Sequence, residues 1–196
     1  MSRLPNLRRD QLTPAGKAVW DSIVATRGDH VVTEEGALTG PFNAMVHAPD
    51  AGGPLGSLGA ALRFGTSLGR RLTEVAILAV ASRWQAEFEW WAHARIAREA
   101  GVPDAAVDAI GAGKEPEFTA EDDRIVYATA RELVIDGHLS PANYATAHGL
   151  LGDTGVVELV ALCGYYTTIS FVLNAFEVPL PAGVEPSWSP PGPVAN

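Results

Sequence analysis

Between Val156 and Phe176 the chain runs for 21 residues with a single charge, Glu158. A stretch this long and apolar has two homes, a lipid bilayer, whose hydrocarbon core needs roughly 20 such residues, or the middle of a helical bundle. Glu158, Tyr165, Tyr166, Thr167, Thr168, Ser170 and Asn174 put too many polar groups along it for a lone span. No Lys/Arg cluster flanks it to set an orientation. A central helix, buried on all sides by other helices, is therefore the expectation. The rest of the chain must supply those helices.

Helical punctuation supplies them. Thr13-Pro14 opens a helix with a cap and a first-turn proline, running to about Thr26 before Arg27-Gly28-Asp29 breaks it. Residues 29–40 read as loop. Gly40-Pro41-Phe42-Asn43 starts a short helix that ends near Pro49-Asp50, and residues 55–64 form another. Residues 72–84 are mostly apolar and lead into a helix over 86–100. Pro103-Asp104 starts a short helix ending near Gly111-Ala112-Gly113. Thr119-Ala120-Glu121-Asp122 caps a long one, with acids at its positive end, closing at Asp136-Gly137. Ser140-Pro141 opens another, and Asp153 precedes the apolar final helix. No strand alternation is present. The expected fold is all-α, one helical domain over residues 1–178, with a Pro-rich tail over 179–196 that lies on the surface or wraps a neighbour. A weak internal echo joins Thr73-Glu74-Val75-Ala76 to Val157-Glu158-Leu159-Val160, each a first-turn acid on an apolar helix.

The 196 residues suffice for one packed domain, and 14 basic against 23 acidic side chains leave a net charge of −9. That balance argues against nucleic acid and anionic membrane as partners. It also means that a pocket binding an acid must bring its own cations. The single cysteine, Cys163, cannot form an internal disulfide and sits in an apolar run. The opening MSRLPNLRRD has basic residues with no apolar run behind them, unlike a secretory signal, so a cytoplasmic location is expected.

The stretch AEFEWWAHARIAREAG, residues 86–101, carries the chemistry. Wound as a helix, it sets Ala86, Glu89, Trp90, His93, Ile96, Ala97 and Ala100 on one face, mostly small or apolar. A carboxylate and an imidazole on that side form a hydrogen-bonded core pair, a metal site or a catalytic site. A single histidine with Glu74 and Glu89 is a thin ligand set for a metal, and no metal or cofactor is expected. His30, His47, His138 and His148 are scattered and assigned no role.

The order Glu74, a buried helix, then Ala86-x-x-Glu89-x-x-x-His93 resembles the carboxymuconolactone decarboxylase family, which includes the AhpD-like peroxidase proteins. Ala60-Ala61-Leu62-Arg63-Phe64-Gly65, Gly40-Pro41-Phe42-Asn43-Ala44, Gly164-Tyr165-Tyr166 and Leu173-Asn174-Ala175-Phe176 extend the resemblance over about residues 4–181. It implies an AhpD-like helical bundle and assembly as a homo-oligomer. The peroxidase branch carries a CxxC where this chain has Ala86 and Glu89. With Cys163 alone, no cysteine pair can cycle between dithiol and disulfide, and the match is to the branch lacking the CxxC.

The namesake reaction needs no cofactor, because the departing carboxylate is conjugated to a lactone carbonyl that accepts the electrons as a dienolate. Such a site must hold a carboxylate, stabilise an oxyanion and deliver one proton to carbon. His93 is the candidate proton shuttle, since imidazole as a class titrates near neutrality, with Glu89 or Glu74 to hold its tautomer. Arg63 is the candidate carboxylate anchor, with Trp90 as an apolar wall and Tyr165, Tyr166 and Asn174 as polar wall groups. The expected substrate is a small unsaturated acid or lactone. The bland readings stay open beside these: Glu89 and His93 paired with each other, Glu74 answering a helix dipole, Arg63 on the surface, the aromatics in the core. The alternative to an enzyme is a ligand-binding or assembly protein of the same fold. Phe88 and Trp91, on the charged side of their helix, suggest either a subunit contact or a covering segment of the same chain.

Overall fold

The computed structural model describes residues 2–188. Eight α-helices occur among them: α1 (Pro14–Arg27), α2 (Phe42–His47), α3 (Pro49–Phe64), α4 (Gly69–Trp84), α5 (Glu87–Glu99), α6 (Asp104–Gly111), α7 (Glu121–Asp136) and α8 (Pro141–Ala175). There is no strand among the described residues, only two isolated bridges, Arg8 with Ala37 and Val32 with Leu38, which tie down the loop between α1 and α2. The fold is all-α.

Local chemistry starts the outer helices. The Thr13 side chain accepts a hydrogen bond from the Gly16 N–H ahead of α1, and Ser140 accepts one from the Asn143 N–H ahead of α8. Each cap satisfies a donor that the first turn leaves without a partner, and the proline that follows has no N–H to satisfy. At α7 the cap position is Ala120 and no side chain caps it, so Thr119 does not take that role. The acids Glu121, Asp122 and Asp123 in the first turn answer the helix dipole instead.

The centre of the fold is α4, against which α5, α7 and α8 all pack. Every residue from Val75 to Ala81 is buried as a result. Arg71 pins this helix to α7 by pairing with Asp122 at 2.7 Å and with the buried Asp123. A second layer of α1, α2 and α3 packs on itself and meets the centre through α8 and α4. Gly52 permits that layer, since a Cβ there would overlap the Met45 carbonyl and force α2 and α3 apart.

Three expectations about elements are corrected. Helix α3 begins at Pro49 rather than near residue 55, with Pro54 inside it on an exposed side where the Asp50 carbonyl it leaves unbonded can meet water. The two expected C-terminal helices run on as α8 across a kink at Gly152, whose φ of 64° and ψ of −177° lie in a region open to glycine almost alone. And the apolar helix is not buried on all sides. The other helices cover one side of it, while Val157, Val160 and Phe171 are exposed, Val157 by 67%. Half of its most apolar window is buried, and by length and hydropathy it would reach across a membrane.

The described part of the tail packs on its own chain. The Ser187 and Trp188 N–H groups donate to Glu87, and the Trp188 indole N–H donates to the Gly111 carbonyl at 2.9 Å. The rest of the expected Pro-rich tail, residues 189–196, lies outside the described residues.

Candidate active site

A tight reversal brings the candidate residues together. Helix α4 ends at Gln85, which adopts the left-handed conformation (φ 46°, ψ 44°), and the Ala86 N–H returns to the Ala81 carbonyl at 3.0 Å. This six-to-one closure turns the chain within two residues. Helix α5 is thereby folded back against α4, with Glu89 and His93 facing inward and both buried.

Of the two acids expected to hold the His93 ring, Glu74 is the one that meets it. His93 Nδ1 lies 2.6 Å from Glu74 Oε2 on α4. Glu89 does not pair with His93; its Oε1 accepts a hydrogen bond from the Ser170 hydroxyl of α8 at 3.1 Å. The other Glu74 oxygen, Oε1, sits 3.7 Å from Arg63 Nη2 of α3. The Glu74 carboxyl is thus flanked by an imidazole and a guanidinium; it is not the expected first-turn acid, because α4 begins at Gly69 and its first turn holds no acid. With Nδ1 against Glu74, the His93 ring has no hydrogen-bond partner at Nε2 among the described residues. The Tyr166 ring meets it edge-on, with centroids 5.1 Å apart.

Electrostatics set Glu89 apart. Burial pushes its carboxyl well above the usual carboxylate range, and the Ser170 hydrogen bond opposes this only in part. Its Oε2 is buried without any partner. Burial also raises the phenols of Tyr165 and Tyr166, so both remain proton donors across the ordinary pH range.

All of these groups except Glu74 and Ser170 line a cavity of about 630 Å³ between the two layers. Arg63, Glu89, His93, Tyr165 and Tyr166 contribute polar wall; Phe42, Phe64, Trp91, Ile169 and Leu173 contribute apolar wall. The volume falls within the range typical of sites that enclose a small organic molecule.

Two expected wall residues are elsewhere. Trp90 points to the edge of α5 that meets α6, where it packs 5.3 Å from Trp188 and so close over Gly111 that a Cβ there would lie 2.6 Å from its ring. Asn174 is exposed and donates to the Trp84 carbonyl at 2.8 Å, tying α8 to the end of α4. Phe88 and Trp91 meet edge to face on the cavity wall, with ring centroids 5.3 Å apart, and Phe88 presses on Gly40, so the chain's own loop covers it. Glu158, the echo of Glu74, accepts from the Ser67 N–H at 2.9 Å and its hydroxyl at 2.6 Å, and stands away from the cavity. Two site residues are not marked as such by the sequence. Ser170, which bonds Glu89 without lining the cavity, has a signal as a polar residue in an apolar helix; Arg27, on the cavity wall, reads in the sequence only as part of a helix stop. His30, assigned no role, stands at the cavity rim.

Burial pushes the Cys163 thiol up to about 12. It does not line the cavity. Among the described residues, no three His, Cys, Asp or Glu side chains converge as a metal site requires.

No protein-family model and no curated protein matches the sequence. Solved structures do match the fold. The AhpD core of an uncharacterised peroxidase-related protein from Ralstonia eutropha JMP134 superimposes with a TM-score of 0.71 at 14% identity, over 91% of each chain. A cysteine-to-alanine variant of the debrominase Bmp8, in complex with 2,3,4-tribromopyrrole, gives 0.71 at 17% identity, over 93% of this chain and 95% of that one. The same debrominase without ligand gives 0.69 at 16% identity, over 90% and 91%. The chain therefore has the all-α AhpD-like fold.

Proposed function

We propose that the protein is a cofactor-independent lyase resembling carboxymuconolactone decarboxylase, acting by general acid–base catalysis on a small unsaturated acid or lactone. The supporting observation is His93 on the wall of the cavity, with its Nδ1 2.6 Å from the buried Glu74 carboxyl. With Nδ1 held by Glu74, the imidazole is fixed in orientation and its Nε2 is the atom that exchanges a proton with substrate.

In a substrate whose carboxylate is conjugated through a double bond to a lactone carbonyl, the bond to the carboxylate breaks and carbon dioxide leaves. The electron pair moves through the double bond onto the carbonyl oxygen. The Tyr166 phenol, kept protonated by burial, donates to that oxyanion. For this step His93 enters as the imidazolium, Nδ1–H on Glu74; it gives its Nε2 proton to carbon, is left neutral, and takes a proton back from solvent. Isomerisation would start differently: the neutral His93 Nε2 would take a proton from carbon, leaving its electron pair in the dienolate, and return that proton at another carbon. Thiol chemistry of the kind an alkylhydroperoxidase uses has no counterpart here, because the one cysteine is buried away from the cavity.

The test is ultraviolet-monitored turnover of carboxymuconolactone by the wild type and by His93→Ala. Turnover that falls about 100-fold or more in the variant is expected, the usual worth of a positioned proton donor. Undiminished turnover in His93→Ala would remove His93 from the chemistry. Saturable binding of the lactone with no turnover would make the protein a binding module.

A further inference from the structure

Arg63 was the cation expected to hold a substrate carboxylate, but it stands within 3.7 Å of Glu74. Part of its charge is therefore spent inside the protein. Arg95, at the cavity rim, is paired with Glu99 at 2.8 Å. Arg27, the last residue of α1, is different. It lines the same cavity, is half-buried, and has no Asp or Glu within ion-pair distance among the described residues. In a chain of net charge −9, an unpaired guanidinium facing a cavity is the exception.

The surroundings of Arg27 hold it in place without neutralising it. Its guanidinium lies 5.2 Å from the Phe42 ring centroid and 5.7 Å from that of Phe64. Those ring faces orient a planar cation, and its N–H edge meets the neutral Tyr165 hydroxyl, which leaves its charge uncancelled. The Tyr165 hydroxyl sits beside it over Gly59, where any Cβ would overlap the hydroxyl and lie 3.1 Å from Arg27 Nη2. Phe64 stands at the cavity mouth, 64% exposed even with the Arg27 and Arg63 guanidinium groups each 5.7 Å from its ring centroid.

We propose, on the reading of this cavity as a substrate site, that Arg27 rather than Arg63 anchors the ligand, and that the ligand is a carboxylate with a broad planar apolar body. The carboxylate takes the paired N–H donors of Arg27. The body lies along Phe64 and Trp91 and directs its reacting carbon at His93. Arg63 is then a positioning residue that holds Glu74. A cavity of about 630 Å³ has room for an aromatic or polyunsaturated acid well beyond the size of a single lactone ring.

The test uses 2-naphthoate and its neutral counterpart 2-naphthylmethanol as probes, with binding followed by tryptophan fluorescence, since Trp91 lines the cavity. Wild type is expected to bind the acid about tenfold more tightly than the alcohol, or better, as a charge-assisted pair of hydrogen bonds allows. Arg27→Met keeps the apolar stem and should erase that preference, whereas Arg27→Lys should keep part of it and Arg95→Met all of it. Circular dichroism confirms that each variant is folded. Equal affinity of wild type for the two probes, no binding of the acid, or a preference that survives in Arg27→Met would each overturn the proposal. Turnover is not read in this assay. Failure of the lyase reading thus leaves an Arg27-dependent preference standing, and absence of that preference in the wild type does not decide whether the protein is a decarboxylase.

Discussion

Replacing Glu89 with glutamine tests the buried acid directly. In the unfolded chain this carboxyl titrates near its ordinary value of 4.5, while in the native state burial holds it well above that. Between those two values the native protein keeps a proton that the unfolded chain has released. Stability must then fall as pH rises through that window, by up to about 1.4 kcal/mol per pH unit. Below the window both states are protonated and the residue contributes no pH dependence. A glutamine side chain has nearly the same shape and cannot titrate. The difference between wild type and Glu89→Gln therefore isolates this one group, while any fixed effect of the amide moves the whole curve without changing its slope. For a chain of this size the gap should widen in favour of the variant by roughly 3–6 °C in Tm per pH unit. Thermal unfolding of the two proteins by circular dichroism, in parallel from acid to neutral pH, measures it. A flat gap, or one that widens toward acid, would mean that Glu89 is ionised in the native protein. The assignment of Glu89 as a neutral buried acid would then be wrong.

Two further outcomes follow from packing. A mid-helix glycine changed to alanine ordinarily stabilises by up to about 1 kcal/mol; at Gly59 the added methyl meets the Tyr165 hydroxyl. Gly59→Ala should instead destabilise by roughly 1–3 kcal/mol, and a rise in Tm would refute the contact. Cys163, buried and with its thiol raised to about 12, should be silent toward Ellman's reagent in the folded protein and react fully once denatured. Rapid labelling under native conditions would show the thiol to be reachable.

Much of the helical pattern was legible because it is local. Thr13 and Ser140 cap helices through bonds to residues three positions on, and such signals need no knowledge of the rest of the fold. The limits of that legibility are local as well. A proline at position 54 reads as a break, yet α3 runs through it because only one exposed carbonyl is left to water. Apolar length suggested a helix buried all round, whereas burial depends on how many neighbours arrive, and α8 receives them on one side.

For the site, the residues 86–101 alone were enough to turn Glu89 and His93 inward, because helical periodicity sets which way a side chain faces. Periodicity says nothing about what stands opposite. Glu89 finds Ser170, 81 positions away, and His93 finds Glu74, 19 away, because α8 and α4 cross α5 where they do. Trp90 and Asn174 carry the right chemistry for a cavity wall and are turned to α6 and to the end of α4 instead. Arg27, which ends the first helix and has no motif to mark it, reaches the cavity only because the α1–α3 layer packs over α8. Side-chain direction is a property of a few neighbouring residues, while a partner is a property of two helices brought together by the burial of everything between them.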